Sequence, residues 1–275
     1  MTRWLSRLID RLALAGMAAI CCLAAWSVLG PIAGLVAAAA LLFAILKLPA
    51  LPNAGQLAQA LDAPTRKRLS PGFQEKLDAI SVRANLASTP RVLWISGVPN
   101  AVSIRDGEGF VILVSESLHD LLSERLLLAV LAHEIAHIEN GDIRIMRFAE
   151  LLSRVTFAIA VLTLLAAAGA YTFQGVILAE SWVYWCLAVA PTAMSGLQML
   201  LSRRREYAAD AAAGRLAADP AALGQALARI QFAYELQLKD TIEEFAGLRS
   251  PSWMRTHPPV TDRIDRLQRR AVDKI

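Results

Sequence analysis

Residues 126 to 144 read LLLAVLAHEIAHIENGDIR, an apolar run interrupted by His133, Glu134 and His137. On a helix, residues four apart project from one face on successive turns, so the two imidazoles are close enough to share one metal ion. Glu134 lies about 100° round from His133, beside such a metal and not placed to be a third ligand in the same way. This is the geometry of an HExxH zinc site, in which the glutamate acts as general base on a water molecule. The competing reading is a core helix whose histidines satisfy buried hydrogen bonds. The chain has only four histidines and two of them are here, which weighs against that reading.

A zinc hydrolase needs a third protein ligand and leaves the fourth position open. The extended HExxHxxGxxH pattern fails, because the residue six beyond His137 is Ile143. A carboxylate from a second helix is the other common solution, and RRREYAADAAAG, residues 203 to 214, offers one. Glu206 and Asp210 are four apart and point one way on a helix, with Glu206 as ligand and Asp210 able to accept the second ring proton of a ligand histidine. Taken alone the segment reads as a charged helix beside a membrane span, anchored by Arg203 to Arg205; the unfilled ligand position favours the metal. His257 lies in RTHPPVTDRIDRL, where two prolines fix the chain before a new helix with Pro259 near its first position. A histidine held rigidly beside a zinc site can donate to the oxyanion of a tetrahedral intermediate; a helix-capping role is the equal alternative. Tyr207 is a second candidate for the oxyanion, and His119 in ESLHDLL reads as a surface or capping residue.

The elements that must position these residues belong to an oily chain. Of 275 residues 56% are hydrophobic and 19% charged, which points first to membrane spans. The net charge of +4 comes from Lys and Arg clustered beside apolar runs, in MTRWLSRLIDR, TRKR, IRIMR and SRRRE. A nucleic-acid surface would interleave aromatics with such charges, so no nucleic-acid partner is expected. Cys21, Cys22 and Cys186 all lie in apolar segments, which excludes a disulfide framework or a cysteine-based zinc site in the polar part.

Residues 12 to 46 carry no charge, and Gly30 and Pro31 in their middle favour two short spans joined by a turn over one kinked span. A second apolar block runs from Val155 to Tyr171 and from Trp182 to Leu201, with Gln174 and Glu180 between and Trp182, Tyr184 and Trp185 as an interfacial belt. Lys and Arg flank the blocks and are missing from both hairpin tips, so the positive-inside rule puts both termini and the polar segments in the cytoplasm. The expected division is an N-terminal transmembrane hairpin (1–51), a first catalytic part with the HExxH helix (52–150), a second hairpin (151–201) and a second catalytic part with the third ligand (202–275).

Within the first polar part, Phe73, Leu77, Ile80 and Ala84 form one helical stripe. RVLWIS, NAVSI and GFVILVS, separated by Gly, Pro and Asp, predict a small sheet. Ser123 is placed as N-cap of the HExxH helix, with Glu124 in its first turn and Gly141 as C-cap.

With HEIAHIENGD, RRREYAAD and THPPVTDRI in this order, the chain resembles the HtpX-like membrane zinc metallopeptidases, the family that also includes the CAAX prenyl protease. The resemblance implies one zinc ion per subunit on His133, His137 and Glu206, with Glu134 as catalytic base and Asp210 in support. It also marks VPNAVSI as an edge strand where an extended substrate pairs by strand addition near Asn100 and Ala101. The fold expected is a mainly α membrane protein, four transmembrane helices in two hairpins plus a cytoplasmic α+β zincin-like catalytic domain with a small sheet. The function expected is a multi-pass endopeptidase of the cytoplasmic (inner) membrane, embedded in the lipid bilayer and cleaving unfolded or membrane polypeptides in protein quality control. A CAAX-type processing protease and a non-catalytic, zinc-stabilised membrane chaperone or scaffold are the alternatives.

Overall fold

The computed structural model describes residues 8–24, 26, 69–106, 109–174, 181–242 and 258–272. The proposed turn at Gly30 and Pro31 lies outside them, as does His257. The chain divides into two compact units, one of residues Met1–Pro49 with Arg144–Ser202, the other of Ala50–Ile143 with Arg203–Ile275.

The second unit carries the chemistry-bearing residues. Its first helix, α2 (Pro71–Arg83), follows α1 (residues 8–24) in the chain and starts at Ser70, whose side chain accepts from the Phe73 amide, with proline in the first turn. The periodic stripe Phe73, Leu77, Ile80 and Ala84 is buried. Three strands follow: β1 (Arg91–Ile95), β2 (Ala101–Asp106) and β3 (Gly109–Ser115). Their order is β1-β3-β2, with β3 parallel to β1 and antiparallel to β2. Val111, Ile112, Leu113 and Val114 are all buried, so the central strand is covered on both faces and reads as an unbroken apolar run. β2, paired from Ala101 opposite Val114 to Asp106 opposite Gly109, is left at an edge of the described sheet.

After the short α3 (Glu116–Leu121) comes α4 (Glu124–Asn140), the helix that bears HExxH. Ser123 takes the N-cap position in extended backbone, but its side chain makes no capping bond. Gly141 closes the helix in the left-handed region (φ 73°, ψ 25°), where a residue without Cβ is favoured. Leu126, Leu127, Ala129 to Ala136 and Ile138 are buried, so α4 is enclosed on nearly every side. It packs against α2, β2 and α7 (Pro220–Ile242), and α7 in turn against α8 (Val260–Val272). The oiliness of residues 126 to 138 is that of a central core helix.

Helix α5 runs Asp142–Gln174 and α6 runs Ser181–Leu216 with Pro191 inside it. In the first unit, Met17, Cys21, Phe148, Ala149, Leu152, Met194 and Leu201 form one apolar cluster and Ala24, Ala160 and Leu187 another. Phe157, Leu162, Leu165, Val189 and Leu200 point outward, each more than half exposed. Large apolar side chains left this open suit a non-aqueous surrounding. Among the described residues one helical stretch, Asp142–Leu165, is long and apolar enough to cross a membrane. The third span expected from Val155 is therefore part of a helix that begins thirteen residues earlier, directly after the Gly141 cap.

Candidate active site

His133 and His137 meet one turn apart on α4, their ring planes nearly perpendicular and their Nε2 atoms 3.0 Å apart. Glu206 reaches them from α6, Oε2 3.5 Å from Nε2 of His133 and Oε1 3.8 Å from Nε2 of His137. Ligand atoms about 2.0–2.1 Å from a tetrahedral zinc ion lie about 3.3–3.4 Å from one another, a value these three separations bracket. Two nitrogens and one carboxylate oxygen are also the donor set zinc accepts in hydrolytic sites.

What turns the imidazoles inward is a carboxylate behind each. Nδ1 of His137 lies 2.6 Å from Oδ2 of Asp142, and Nδ1 of His133 lies 3.1 Å from Oδ1 of Asp210, the latter without the alignment of a full hydrogen bond. With Nδ1–H facing a carboxylate, the lone pair of each ring resides on Nε2. Two lone pairs facing at 3.0 Å repel unless a cation lies between them, so the pair fits a metal ion. The titration behaviour puts a proton in that place. Burial opposes charge on His133, but Asp210 and Glu206 outweigh it and raise the ring to about 10; burial and the positive His133 push His137 down to about 4. The pair therefore holds one positive charge across the neutral range.

Each of those carboxylates has its own cation. Asp142 pairs with Arg205, which also donates to the Asn140 carbonyl at 2.8 Å. Asp210 takes a two-pronged pair from Arg263, at 2.9 and 2.7 Å, and burial, which alone would raise its carboxyl, is overridden so that the group falls below the usual range. Arg205, Asp142, Asp210 and Arg263 are all under 7% exposed. None but Asp210 stands out in the sequence. Asp142 had one available signal, since it follows the helix-ending Gly141 and so comes back toward His137. Arg205 looks like its neighbours Arg203 and Arg204, and as a buried partner of Asp142 it is no membrane-flanking charge.

Glu134 is 7% exposed and its charge acts on His137 and Arg263. Asn100 and Ala101 open β2: the Asn100 amide donates to Oγ of Ser115 at 2.8 Å and its carbonyl accepts from the Ser115 amide at 2.9 Å. This ties the start of the edge strand to the end of β3, while α4 packs against β2. Tyr207 lies under the guanidinium of Arg266, 3.7 Å from its ring centroid. His119 is at the surface, edge-on to Trp94 and beside Asp120.

Residues 69–271 match the family model described as peptidase family M48. The chain belongs to peptidase family M48. Among its relatives, the protein named "Protease HtpX homolog" from Desulforapulum autotrophicum is 33% identical over 204 residues, 68% of this chain and 64% of that one. The protein of the same name from Pyrococcus furiosus is 32% identical over 223 residues, 74% of this chain and 75% of its own length. The chain thus spans about two thirds to three quarters of the length of these relatives. The crystal structure of Ste24p from S. mikatae aligns with 96% of this chain and 65% of its own at 18% identity and a TM-score of 0.47, too loose a match to argue from. The HtpX-like resemblance carried by the three motifs holds, and the M48 match encloses all of them.

Proposed function

We propose that the chain is a membrane-anchored, zinc-dependent endopeptidase. The observation that carries this reading is the convergence of His133, His137 and Glu206, each offering one ligand atom within 4.8 Å of the others, with both imidazoles turned inward by buried carboxylates. Zinc held there supplies Lewis acidity and makes a water molecule acidic enough to be deprotonated near neutral pH. Glu134, one residue on from the first ligand, takes the proton of the attacking water and returns it to the leaving amine. Asp142 and Asp210 keep the ring protons on Nδ1, so neither ligand changes tautomer during turnover.

An extended polypeptide substrate adds to β2 beside Asn100 and Ala101, binding through its backbone, which gives broad sequence tolerance suited to unfolded or membrane proteins. His257 donates to the oxyanion, with Tyr207 as the alternative. The outward apolar side chains of α5 and α6 and the absence of Lys and Arg from both hairpin tips support a multi-pass anchor in the cytoplasmic membrane. Both termini, the catalytic parts 52–150 and 202–275, and the site then face the cytoplasm.

The test is cleavage of an unfolded polypeptide by the purified protein in detergent. Activity should fall to background with a zinc chelator and return when zinc is restored. A protein that binds zinc tightly yet cleaves no unfolded soluble or membrane polypeptide would instead be a zinc-stabilised scaffold.

A further inference from the structure

Two rows of side chains stand behind the histidine pair, His137–Asp142–Arg205 and His133–Asp210–Arg263. They differ in where the arginine comes from and what it touches. Arg205 directly precedes Glu206 on α6. Arg263 comes from α8, 53 residues after Asp210, and its guanidinium bonds Asp210 through Nε and Nη2 while Nη1 lies 3.2 Å from Oε2 of Glu206. One planar cation thus spans both carboxylates of the α6 pair. Its Nη2 also comes within 3.5 Å of Nε2 of His133, so it borders the metal site itself. Glu206 and Asp210 are buried on adjacent turns, where two uncompensated carboxylates repel and turn apart.

We propose that Arg263 is a positioning residue for the metal site: by clamping Glu206 and Asp210 together it sets the angle of the carboxylate ligand and of His133, and it makes α8 a required part of that site. The proposal rests on the zinc peptidase reading above. Arg263 acts through the two carboxylates and is not itself a ligand. A lysine in its place keeps the charge but offers a single point of attachment, whereas the guanidinium fork makes two hydrogen bonds to Asp210 and an ion pair to Glu206 in fixed directions. α8 packs against α7, so the C-terminal helix reaches the site from a segment that contributes no ligand among His133, His137 and Glu206.

The experiment uses the full chain in detergent, as wild type, Arg263→Ala and Arg263→Lys, with folding checked by circular dichroism and thermal melting. Zinc affinity is read by competition with a chromophoric chelator, and ligand geometry by the visible absorption of the cobalt-substituted protein. Arg263→Ala should bind zinc about 10–100-fold more weakly and shift the cobalt bands. Millimolar guanidinium, far below denaturing concentration, should restore part of both. Arg263→Lys should stay at least tenfold weaker than wild type; it carries the test if the alanine variant does not fold. Wild-type zinc affinity and cobalt spectrum in either folded variant would overturn the clamp. Wild-type protein that binds no zinc would instead overturn the metallopeptidase reading beneath it.

Discussion

Substituting Asp142 with asparagine probes the support of the site without touching a ligand. The carboxylate is 3% exposed, receives Nδ1–H of His137 at 2.6 Å and pairs with the buried Arg205. The amide keeps the shape and can still accept one bond, but it loses the charge, and a hydrogen bond to a charged acceptor is worth about 1.5–3 kcal/mol. Arg205 is left as a buried cation with the Asn140 carbonyl and no counter-charge at Asp142, and breaking one side of a buried pair costs about 3–5 kcal/mol. We therefore expect stability to fall by about 3 kcal/mol or more and zinc affinity by about 10–100-fold, the usual loss when the partner of a ligand histidine is removed. Chelator competition and thermal unfolding in detergent read the two effects separately. Adding Arg205→Met to Asp142→Asn removes the buried cation that faced Asp142, and stability should recover in part while zinc affinity does not. Asp142→Asn protein with wild-type zinc affinity would refute the role given to this row.

Metal binding should depend on pH in a direction set by the histidine pair. With His133 raised to about 10 and His137 lowered to about 4, zinc must displace one proton anywhere between those values, so its apparent affinity should rise about tenfold per pH unit from pH 6 to 8 and weaken as pH falls. Calorimetric titration in two buffers of different ionisation enthalpy should report about one proton released; an affinity flat in pH contradicts this. Topology is read by periplasmic and cytoplasmic reporters fused at Gly30 and at Gln174. Both positions should report outside the cytoplasm, and a cytoplasmic signal at either would reverse the orientation.

Local signals carried much of the fold. The stripe Phe73, Leu77, Ile80 and Ala84, the three apolar runs bounded by turn residues, and the cap at Gly141 all follow from near neighbours, and the structure has each where periodicity puts it. Strand order follows only in part: β2 and β3 pair as sequence neighbours, Asp106 opposite Gly109, but the parallel pairing of β3 with β1, Arg91 opposite Val111, joins residues too far apart for a local pattern to encode. The spacing of His133 and His137 puts them on one face, but their orientation depends on Asp210, legible from its spacing to Glu206, and on Asp142, which only tertiary placement singles out among 24 acidic residues. Arg205 and Arg263 were illegible for a physical reason. Arginine usually marks the surface, and burial of the pair depends on carboxylates contributed by other turns and other helices. Ser123 is the converse case, a favourable capping residue in the right position whose hydroxyl makes no capping bond.

The most direct test of the central claim is Glu134→Gln in the purified full chain, with zinc content and cleavage of an unfolded polypeptide measured on the same preparation. The variant should retain about one zinc ion per chain, because the ligands His133, His137 and Glu206 are unchanged, while cleavage falls by about 10²–10⁴-fold with the loss of the base. Cleavage at the wild-type rate by the zinc-loaded variant would contradict the account.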